Sequence, residues 1–354
     1  MNGKDRGVNQ GQRNQPAVTL KDLADELGLH LSTVSRVLHS RDDVARRAAS
    51  SATAQKVREL AQLRGYSPDP QATSLRTRRT RAIGVIVPRL SDIVLATMYE
   101  GVEETAAANN YSTFVMNSHD DQDEQRRKAG IMLARRVDGL ILGDVHADSD
   151  LVHELSSRGV PFVLMNRRHP QYPSSTCDDV VGGELVADHL WAQGHRRVAV
   201  IAGETYASTA LDRTGGFRKR WEALGGTLPD ESVVWSHFDT EGGREAAEQI
   251  MLAPGPVPTA IFAVNDFAAI GAMGALRAAG LTVGKDIAVV GFNDTSLAAQ
   301  LPIPLSSVRS PMMEIGRRAV GLLLNVLDHH PAESQLLEPQ LMVRESSDFG
   351  VEGS

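Results

Sequence analysis

From about residue 81 onward the sequence alternates short aliphatic runs with longer amphipathic stretches, and this alternation constrains the fold more than any other feature. The runs are rich in Val and Ile, and each is followed by a longer amphipathic stretch; they are IGVIVP, STFVM, DGLILG, PFVLMN, RVAVIAG, SVVW, TAIFAV and DIAVVGF. Repeated strand and helix units predict parallel sheets covered by helices on both faces. About 270 residues are too many for one such sheet. We therefore expect two α/β lobes, each with a doubly wound parallel sheet, and a cleft between them.

The first part of the chain has helical periodicity instead. VTLKDLADELG predicts a helix with Thr19 as its N-cap, and Gly28 breaks the pattern. We expect a second helix over 32–39 and a third over 51–64, which together form an all-α headpiece of the helix-turn-helix type. The expected core residues are Leu20, Leu23, Ala24, Leu27, Val34, Val37, Leu38, Val57, Leu60 and Leu63. An ordinary packed helical hairpin is the alternative to a DNA-binding surface.

The charge of the chain is unevenly distributed. Residues 1–81 carry 15 Lys and Arg against 8 Asp and Glu, a net charge of +7, whereas the whole chain carries -7 and the remainder therefore -14. A basic front joined to an acidic body indicates that one part meets a polyanion and the other does not, although a solvated basic face is the alternative. On the second helix, Leu31, Ser32, Ser35 and Arg36 are expected to be exposed, and Arg36 is long enough to reach a guanine edge in the major groove.

The segment GYSPDPQATSLRTRRTR follows the third helix and combines two prolines, a short helix-capable run and several arginines. Together with residues 19–36 it resembles the lactose-repressor family of bacterial transcription regulators, and the resemblance continues through nearly the whole chain. It implies a hinge helix that pairs with its dimer mate in the minor groove and inserts Leu75 between base pairs. The residues implied to contact DNA are Thr19, Leu31, Ser32, Thr33, Ser35, Arg36, Tyr66, Ala72, Leu75 and Arg76.

The resemblance also implies a domain organisation with a periplasmic-binding-protein-like effector domain. The expected parts are a flexible tail (1–16), the helix-turn-helix domain (17–66), the hinge (67–80), an N-terminal lobe (81–177 and 309–330) and a C-terminal lobe (178–308 and 331–350). The partners implied are double-stranded DNA with a pseudo-palindromic operator, a small-molecule effector and a second copy of the chain in a homodimer. A polar tail without leucine heptads gives no indication of a tetramerisation module.

Ligands of open α/β sheets bind outside the carboxyl ends of the strands, so the residues that follow the strands are candidates for effector contacts. DRTGGF matches the family element whose arginine, here Arg213, clamps the effector. AVNDFAAIGA matches the segment that supplies Asn265, and VVGFND has Asn293 where the family usually has an aspartate. The candidate effector-binding residues are Ser91, Asp92, Asn117, Asn166, Arg213, Phe238, Asn265 and Asn293. Ordinary turn formation is the alternative for several of them.

Three departures from the family pattern bear on function. His30 occupies the position of the usual N-cap serine of the second helix, where it could donate to a phosphate. The loop RDDVARRAAS over 41–50 is longer than usual, and its arginines either contact phosphate or are solvated. After the first strand the chain has residues 92–95, DIVL, without an aromatic ring. Because stacking on a flat purine is then disfavoured, we expect a carbohydrate or a related polyol as the effector.

The sequence offers no motif for enzymatic chemistry. It lacks a Gly-x-Gly-x-x-Gly after the first strand, a Walker A sequence, a Gly-x-Ser-x-Gly elbow and a His-Glu-x-x-His pair. Cys177 is the single cysteine and is expected to be structural. We expect no cofactor and no metal. No apolar run is long enough for a membrane span, and no apolar signal segment is evident, so we also expect no membrane span and a cytoplasmic location. The alternatives to a ligand-controlled repressor are a sugar-binding protein of the periplasmic type without DNA binding and, more remotely, an α/β enzyme.

Overall fold

The computed structural model describes residues 18–39, 48–66 and 79–348, and the chain divides into two compact units, Met1–Arg79 and Thr80–Ser354. The first unit, the headpiece, contains α1 (Leu20–Leu27), α2 (Leu31–His39) and α3 (Ser51–Leu63). The predicted N-cap of α1 is confirmed, because the Thr19 hydroxyl accepts a hydrogen bond from the Asp22 amide and the Asp22 carboxylate accepts one from the Thr19 amide.

The core of the headpiece contains most of the residues predicted for it. Leu23, Val34 and Val57 are fully buried. Leu63 is a wrong prediction, because its side chain is 82% exposed. The inward stripe of α3 runs instead through Ala54, Val57 and Ala61, and position 63 lies off that stripe.

The second unit contains two six-stranded sheets. The first sheet has the strand order β11-β5-β4-β3-β1-β2, and all of its neighbouring strands are parallel. Its strands are β1 (Ala82–Val87), β2 (Ser112–Asn117), β3 (Gly139–Leu142), β4 (Phe162–Met165), β5 (Ser174–Cys177) and β11 (Gln335–Leu337). Its helices are α4 (Ile93–Ala108), α5 (Gln122–Ala134), α6 (Leu151–Ser157) and α11 (Met312–Leu327). We call this part the first lobe.

The second lobe repeats the same plan with the strand order β12-β10-β9-β8-β6-β7. Its strands are β6 (Val198–Ala202), β7 (Val233–Trp235), β8 (Ala260–Ala263), β9 (Ala288–Asn293), β10 (Ser306–Arg309) and β12 (Gln340–Met342). Its helices are α7 (Asp179–Ala192), α8 (Ser208–Ala223), α9 (Thr240–Leu252) and α10 (Asp266–Ala278). The edge strand β12 runs antiparallel to β10, so this sheet is not entirely parallel.

The chain crosses between the lobes three times: near residue 178, at 310–311 and at 338–339. The last crossing corrects the predicted boundary at 330, because β11 pairs with β5 of the first lobe although 331–350 was predicted to belong to the second. Two adjacent residues, Glu338 and Pro339, then separate β11 from β12. The polar sequence before β11 carries no pattern that would have located this strand.

Helices within a lobe pack very closely. In the first lobe, a Cβ atom at Gly101 of α4 would overlap the backbone carbonyl of Met313, and one at Gly316 of α11 would overlap that of Met98. The two glycines therefore let the backbones of α4 and α11 meet directly. This contact joins the last of the described helices to the first helix of the lobe.

Candidate functional site

A cavity of about 530 Å³ lies between the two sheets, at the carboxyl ends of their strands. This volume is within the usual range for small-molecule sites. In both lobes the strand order reverses beside the first strand, β1 or β6, which is the place where open α/β sheets form a crevice.

Seven of the eight residues predicted to bind an effector line this cavity. They are Ser91, Asp92, Asn166, Arg213, Phe238, Asn265 and Asn293. Asn117 does not line it, because its amide oxygen accepts a hydrogen bond from the Leu90 amide at 3.2 Å and so braces the loop after β1. The seven side chains meet although they come from both lobes, and their part in binding stays a prediction.

Arg213, on α8, is held in a fixed orientation. It is only 4% exposed, its Nε donates to Asp179 Oδ1 at 2.8 Å, and its Nη1 donates to the Val264 carbonyl at 2.8 Å. Its guanidinium carbon lies 3.8 Å from the centre of the Phe292 ring. Among the described residues no group accepts a hydrogen bond from Nη2, which leaves this nitrogen able to donate to a ligand.

Burial raises the pKa of Asp179 to about 6, and the charge of Arg213 opposes that rise. Both side chains of this ion pair are buried, so removing either one would leave the other as an uncompensated charge away from solvent. Asp179 thus anchors Arg213 from outside the cavity.

Asp92 faces the cavity from the first lobe. Its Oδ1 caps α4 by accepting from the Val94 amide at 2.9 Å. Burial raises its pKa, and the positive charges of Arg213 and Arg89 act in the opposite direction. A carboxylate acceptor from one lobe therefore lies within electrostatic reach of an arginine donor from the other.

The two asparagines of the second lobe differ in how fully the protein satisfies them. Asn265 caps α10, since its Oδ1 accepts from the Ala268 amide at 2.8 Å and its Nδ2 donates to the Phe238 carbonyl at 2.7 Å. The Asn293 Oδ1 is buried and accepts no hydrogen bond from the described residues. An unsatisfied buried acceptor at a cavity wall is costly unless a ligand or water donates to it.

Phe238 presents an aromatic face at the end of β7. Its ring lies against Gly203, where any Cβ would overlap the ring atoms. The glycine therefore lets the ring lie directly against the backbone at the end of β6, and Phe238 is one of the residues that the sequence predicted to bind an effector.

Sequence reasoning missed a charged cluster that lines the cavity on the other side. Arg167 makes a two-pronged ion pair with Asp120, with N–O distances of 2.6 and 2.7 Å. Tyr206 of the second lobe donates to Asp120 at 3.1 Å and stacks on His146 with 3.9 Å between ring centres. Although burial opposes it, hydrogen bonds from His146 and Arg167 hold the pKa of Asp120 well below its usual range. The signal was absent because Asp120 and Tyr206 are separated by 86 residues.

The lobes are joined beside the cavity by four more hydrogen bonds. Arg168 donates to both carboxylate oxygens of Asp212 at 2.6 and 2.5 Å, and its amide donates to Ser208 Oγ at 2.9 Å. The Ala147 amide donates to the Tyr206 carbonyl at 2.9 Å. These contacts hold the lobes in the arrangement in which the cavity is formed.

Several cavity residues have left-handed backbone conformations without being glycine. These are His119, Asp120, Asn166 and Asn293, with φ angles of 59°, 62°, 66° and 100°. Such conformations are costly for residues with a Cβ and cluster at functional sites. All four lie at or just after strand ends that meet the cavity.

Asp294, which follows Asn293, is engaged by two arginines of the protein. Its carboxylate pairs with Arg309 at 2.8 Å and with Arg344 at 2.7 Å. It therefore ties the end of β9 to β10 and to the segment after β12.

In the headpiece, three of the four residues predicted to be exposed on α2 are exposed, and the fourth, Ser35, is half-buried instead. Leu31 is 47% exposed, Ser32 and Arg36 are exposed, and Thr33 and Ser35 are half-buried. Thr19 caps α1, and Tyr66 packs against the headpiece core. The hinge residues Ala72, Leu75 and Arg76 lie outside the described residues, as does most of the long loop.

Three further properties bear on function. In residues 18–39, 48–66 and 79–348, every helix is too short or too polar to cross a bilayer. The same residues contain no group of three or more His, Cys, Asp or Glu side chains placed to hold a metal ion. Cys177 is buried, and burial raises its pKa to about 12, which makes its thiol a poor nucleophile.

Comparisons with known proteins give consistent similarities. Residues 187–347 match the model of the periplasmic binding protein-like domain family. The chain is 31% identical to the HTH-type transcriptional repressor PurR of Haemophilus influenzae (strain PittEE), covering 93% of this chain and 98% of that protein. It is also 31% identical to the ribose operon repressor of Escherichia coli (strain K12), covering 93% of this chain and 99% of that protein.

The structural similarities extend over the same length. The chain superposes on the lac repressor dimer bound to operator and the anti-inducer ONPF with a TM-score of 0.81 and 27% identity, over 94% of this chain and 99% of that chain. It superposes on the transcriptional regulator CelR in complex with cellobiose with a TM-score of 0.70 and 28% identity, over 93% and 100% of the two chains.

Proposed function

We propose that this chain, which belongs to the LacI family of DNA-binding transcription regulators, is a repressor whose operator affinity is controlled by a carbohydrate bound in the cavity between its lobes. The observation that carries this proposal is the convergence of Asp92, Arg213 and Asn293 from two lobes on one cavity. Such a site responds to ligand by closing, because each lobe supplies part of the binding energy.

The chemistry of the cavity supports a polyol. Arg213 Nη2 offers a donor, and the carboxylate of Asp92 and the unsatisfied oxygen of Asn293 offer acceptors. Hydroxyl groups both donate and accept, so a sugar matches this mixture. Phe238 offers a face for the C–H side of a sugar ring. The first turn of α4 presents Val94 and Leu95 to the cavity, so a purine would find no aromatic ring to stack on at this place in the first lobe, although Tyr206 and Phe267 of the second lobe also line the cavity.

The similarity to a cellobiose complex and to a ribose operon repressor supports the same ligand class. The similarity to a lac repressor dimer bound to operator supports a homodimer on a pseudo-palindromic site. In this proposal, lobe closure changes the spacing of the two hinges in the dimer and thereby shifts the population that binds DNA. The effector either releases the operator or strengthens its binding.

The proposal is tested in two steps with the full-length protein. A thermal-shift screen compares monosaccharides, disaccharides, nucleosides and amino acids. A ligand at a hundred times its dissociation constant should stabilise the protein by roughly 2.7 kcal/mol. Stabilisation by nucleosides alone would overturn the carbohydrate assignment.

The second step uses a randomised duplex library. Repeated selection should enrich a two-fold symmetric motif, and the sugar found in the screen should change the amount of DNA retained. Binding should weaken steeply with added salt, because phosphate contacts release counterions. Sugar binding without any enriched motif would instead favour a sugar-binding protein that does not bind DNA.

A further inference from the structure

The N-terminus of α2 has an unusual cap. His30 occupies the N-cap position, and its Nδ1 lies 2.7 Å from the Ser32 Oγ. The backbone amide of Ser32 donates to the same Nδ1 at 3.3 Å. Two groups of one residue therefore converge on a single ring nitrogen.

The two contacts indicate which tautomer His30 adopts. A backbone N–H can only donate, so the Ser32 amide at 3.3 Å pairs with an unprotonated Nδ1, and on this basis the ring hydrogen is assigned to Nε2. The Ser32 hydroxyl, at 2.7 Å from that lone pair, then directs its own proton towards Nδ1. The outward side of the Ser32 oxygen is left with lone pairs alone.

We infer that His30 is a positioning residue that makes Ser32 a hydrogen-bond acceptor towards DNA, because the His30 Nδ1 lone pair accepts the hydrogen bond that the Ser32 hydroxyl donates. The inference rests on the proposed function, in which α2 lies in the major groove. An unconstrained serine rotates its hydroxyl and bonds to donors and acceptors alike. Serine held in this way discriminates between them.

The bases that satisfy an acceptor are those with an amino group on the major-groove edge. Adenine presents the N6 amino group and cytosine presents the N4 amino group, whereas guanine and thymine present carbonyl oxygens. Ser32 should therefore favour adenine or cytosine at the base it contacts and disfavour guanine and thymine, whose oxygens would face its lone pairs.

The pair can be altered without disturbing the headpiece core. His30 and Ser32 are both exposed, whereas the core residues Leu23, Val34 and Val57 are fully buried. Glycine and asparagine are both tolerated as N-caps. His30→Gly therefore removes the acceptor while keeping a permitted cap, and His30→Asn restores an acceptor oxygen near the position of Nδ1.

The experiment is selection from a randomised duplex library with the full-length wild type, Ser32→Ala, His30→Gly and His30→Asn. Ser32→Ala identifies the position that Ser32 reads, as the one whose preference disappears. At that position we expect the wild type and His30→Asn to enrich adenine and cytosine over guanine and thymine roughly three- to tenfold, the size of one neutral hydrogen bond. His30→Gly should reduce this ratio towards one and leave the other positions unchanged.

The outcomes separate this inference from the proposed function. An enriched motif in which His30→Gly keeps the amino-base preference would overturn the inference and leave the repressor assignment intact. So would a motif that Ser32→Ala leaves unaltered, or a preference for guanine or thymine at the Ser32 position. Failure of the wild type to enrich any motif would overturn both. Far-UV circular dichroism of His30→Gly and wild type should be the same, since the helices are retained.

Discussion

Arg168 and Asp212 form a two-pronged ion pair between the lobes, with N–O distances of 2.6 and 2.5 Å. Arg168 follows β4 of the first lobe, and Asp212 precedes the cavity residue Arg213 on α8 of the second. The lobes are therefore connected directly beside the residue proposed to clamp the effector. The pair stabilises the closed arrangement of the lobes, so a ligand that binds this arrangement needs to supply less of the free energy of closure.

Arg168→Gln should weaken effector binding about two- to fivefold, because the closed arrangement loses a partly exposed ion pair. Calorimetric titration with the sugar identified by screening measures the change. Arg158→Gln is the matched control, since the partner of Arg158 is Glu154 in the same lobe. Equal loss in both variants would mean that the effect does not come from the lobe contact.

Arg213→Lys should lower effector affinity about tenfold or more, because an ammonium cannot hold Asp179, the Val264 carbonyl and a ligand oxygen in one planar arrangement. DNA binding without effector should stay close to that of the wild type, if the effector is an inducer. Arg220→Lys makes the same change on the same helix at an arginine paired with Asp188. Unchanged calorimetric affinity in Arg213→Lys would remove Arg213 from the binding site.

Arg36→Ala should cost on the order of 1–3 kcal/mol of operator binding and relax base choice at one position in each half-site. The side chain is exposed on α2 and is not needed for the headpiece core. Lys56→Ala removes the same charge from α3 as a comparison. If Arg36→Ala weakened binding to operator and to random DNA equally, Arg36 would be a phosphate contact only.

Leu75→Ala should weaken operator binding and reduce DNA bending while leaving effector affinity unchanged. Leu75 lies outside the described residues, so this prediction comes from the sequence resemblance, which implies a leucine wedge in the minor groove. Fluorescence transfer between dyes on the two DNA ends reports the bend. Binding and bending equal to those of the wild type would exclude the wedge.

Asp266→Asn should change how stability depends on pH. Burial raises the pKa of Asp266 to about 6, although hydrogen bonds from Ser307 and Thr295 oppose the shift. A raised pKa means that the folded state binds the proton more tightly than the unfolded state. The stabilising contribution is thus fully present below about pH 4 and is lost as the pH rises through about 6.

Urea unfolding of the wild type and Asp266→Asn at several pH values tests this directly. As the pH rises from about 4 to about 6, the free energy of unfolding should fall less steeply for the variant than for the wild type. The two slopes should differ by up to about 1.4 kcal/mol per pH unit. Parallel curves across this interval would show that Asp266 does not titrate there.

The aliphatic strands were predictable because their side chains alone account for their burial. All eight predicted runs correspond to strands of the two sheets. The strands β5 and β10, with the sequences SSTC and SSVR, were missed although they are almost entirely buried. Their burial depends on hydroxyl groups with partners far along the chain, such as Ser175, which donates to the Ile315 carbonyl at 2.9 Å. Composition in a short window cannot reveal such partners.

The same distinction applies to the cavity. Residues such as Asn166 and Asn293 were predictable because the end of each strand points to the cleft. The cluster of Asp120, Arg167 and Tyr206 was not, because its bonds join residues 47 and 86 positions apart and across two lobes. Asn117 met the positional rule and yet braces a loop, since its amide oxygen accepts from Leu90.

The three crossings of the chain between the lobes determine how this protein can be recombined with its relatives. Neither lobe is a continuous segment, because α11 and β11 belong to the first lobe but lie in the sequence between β10 and β12 of the second. A chimera made with a single junction inside the effector domain would therefore join strands from two different parents within one sheet. Exchanging one complete lobe needs junctions near 178, 310 and 338 together. By contrast, a single junction near residue 79 exchanges the whole headpiece and leaves both sheets with one parent.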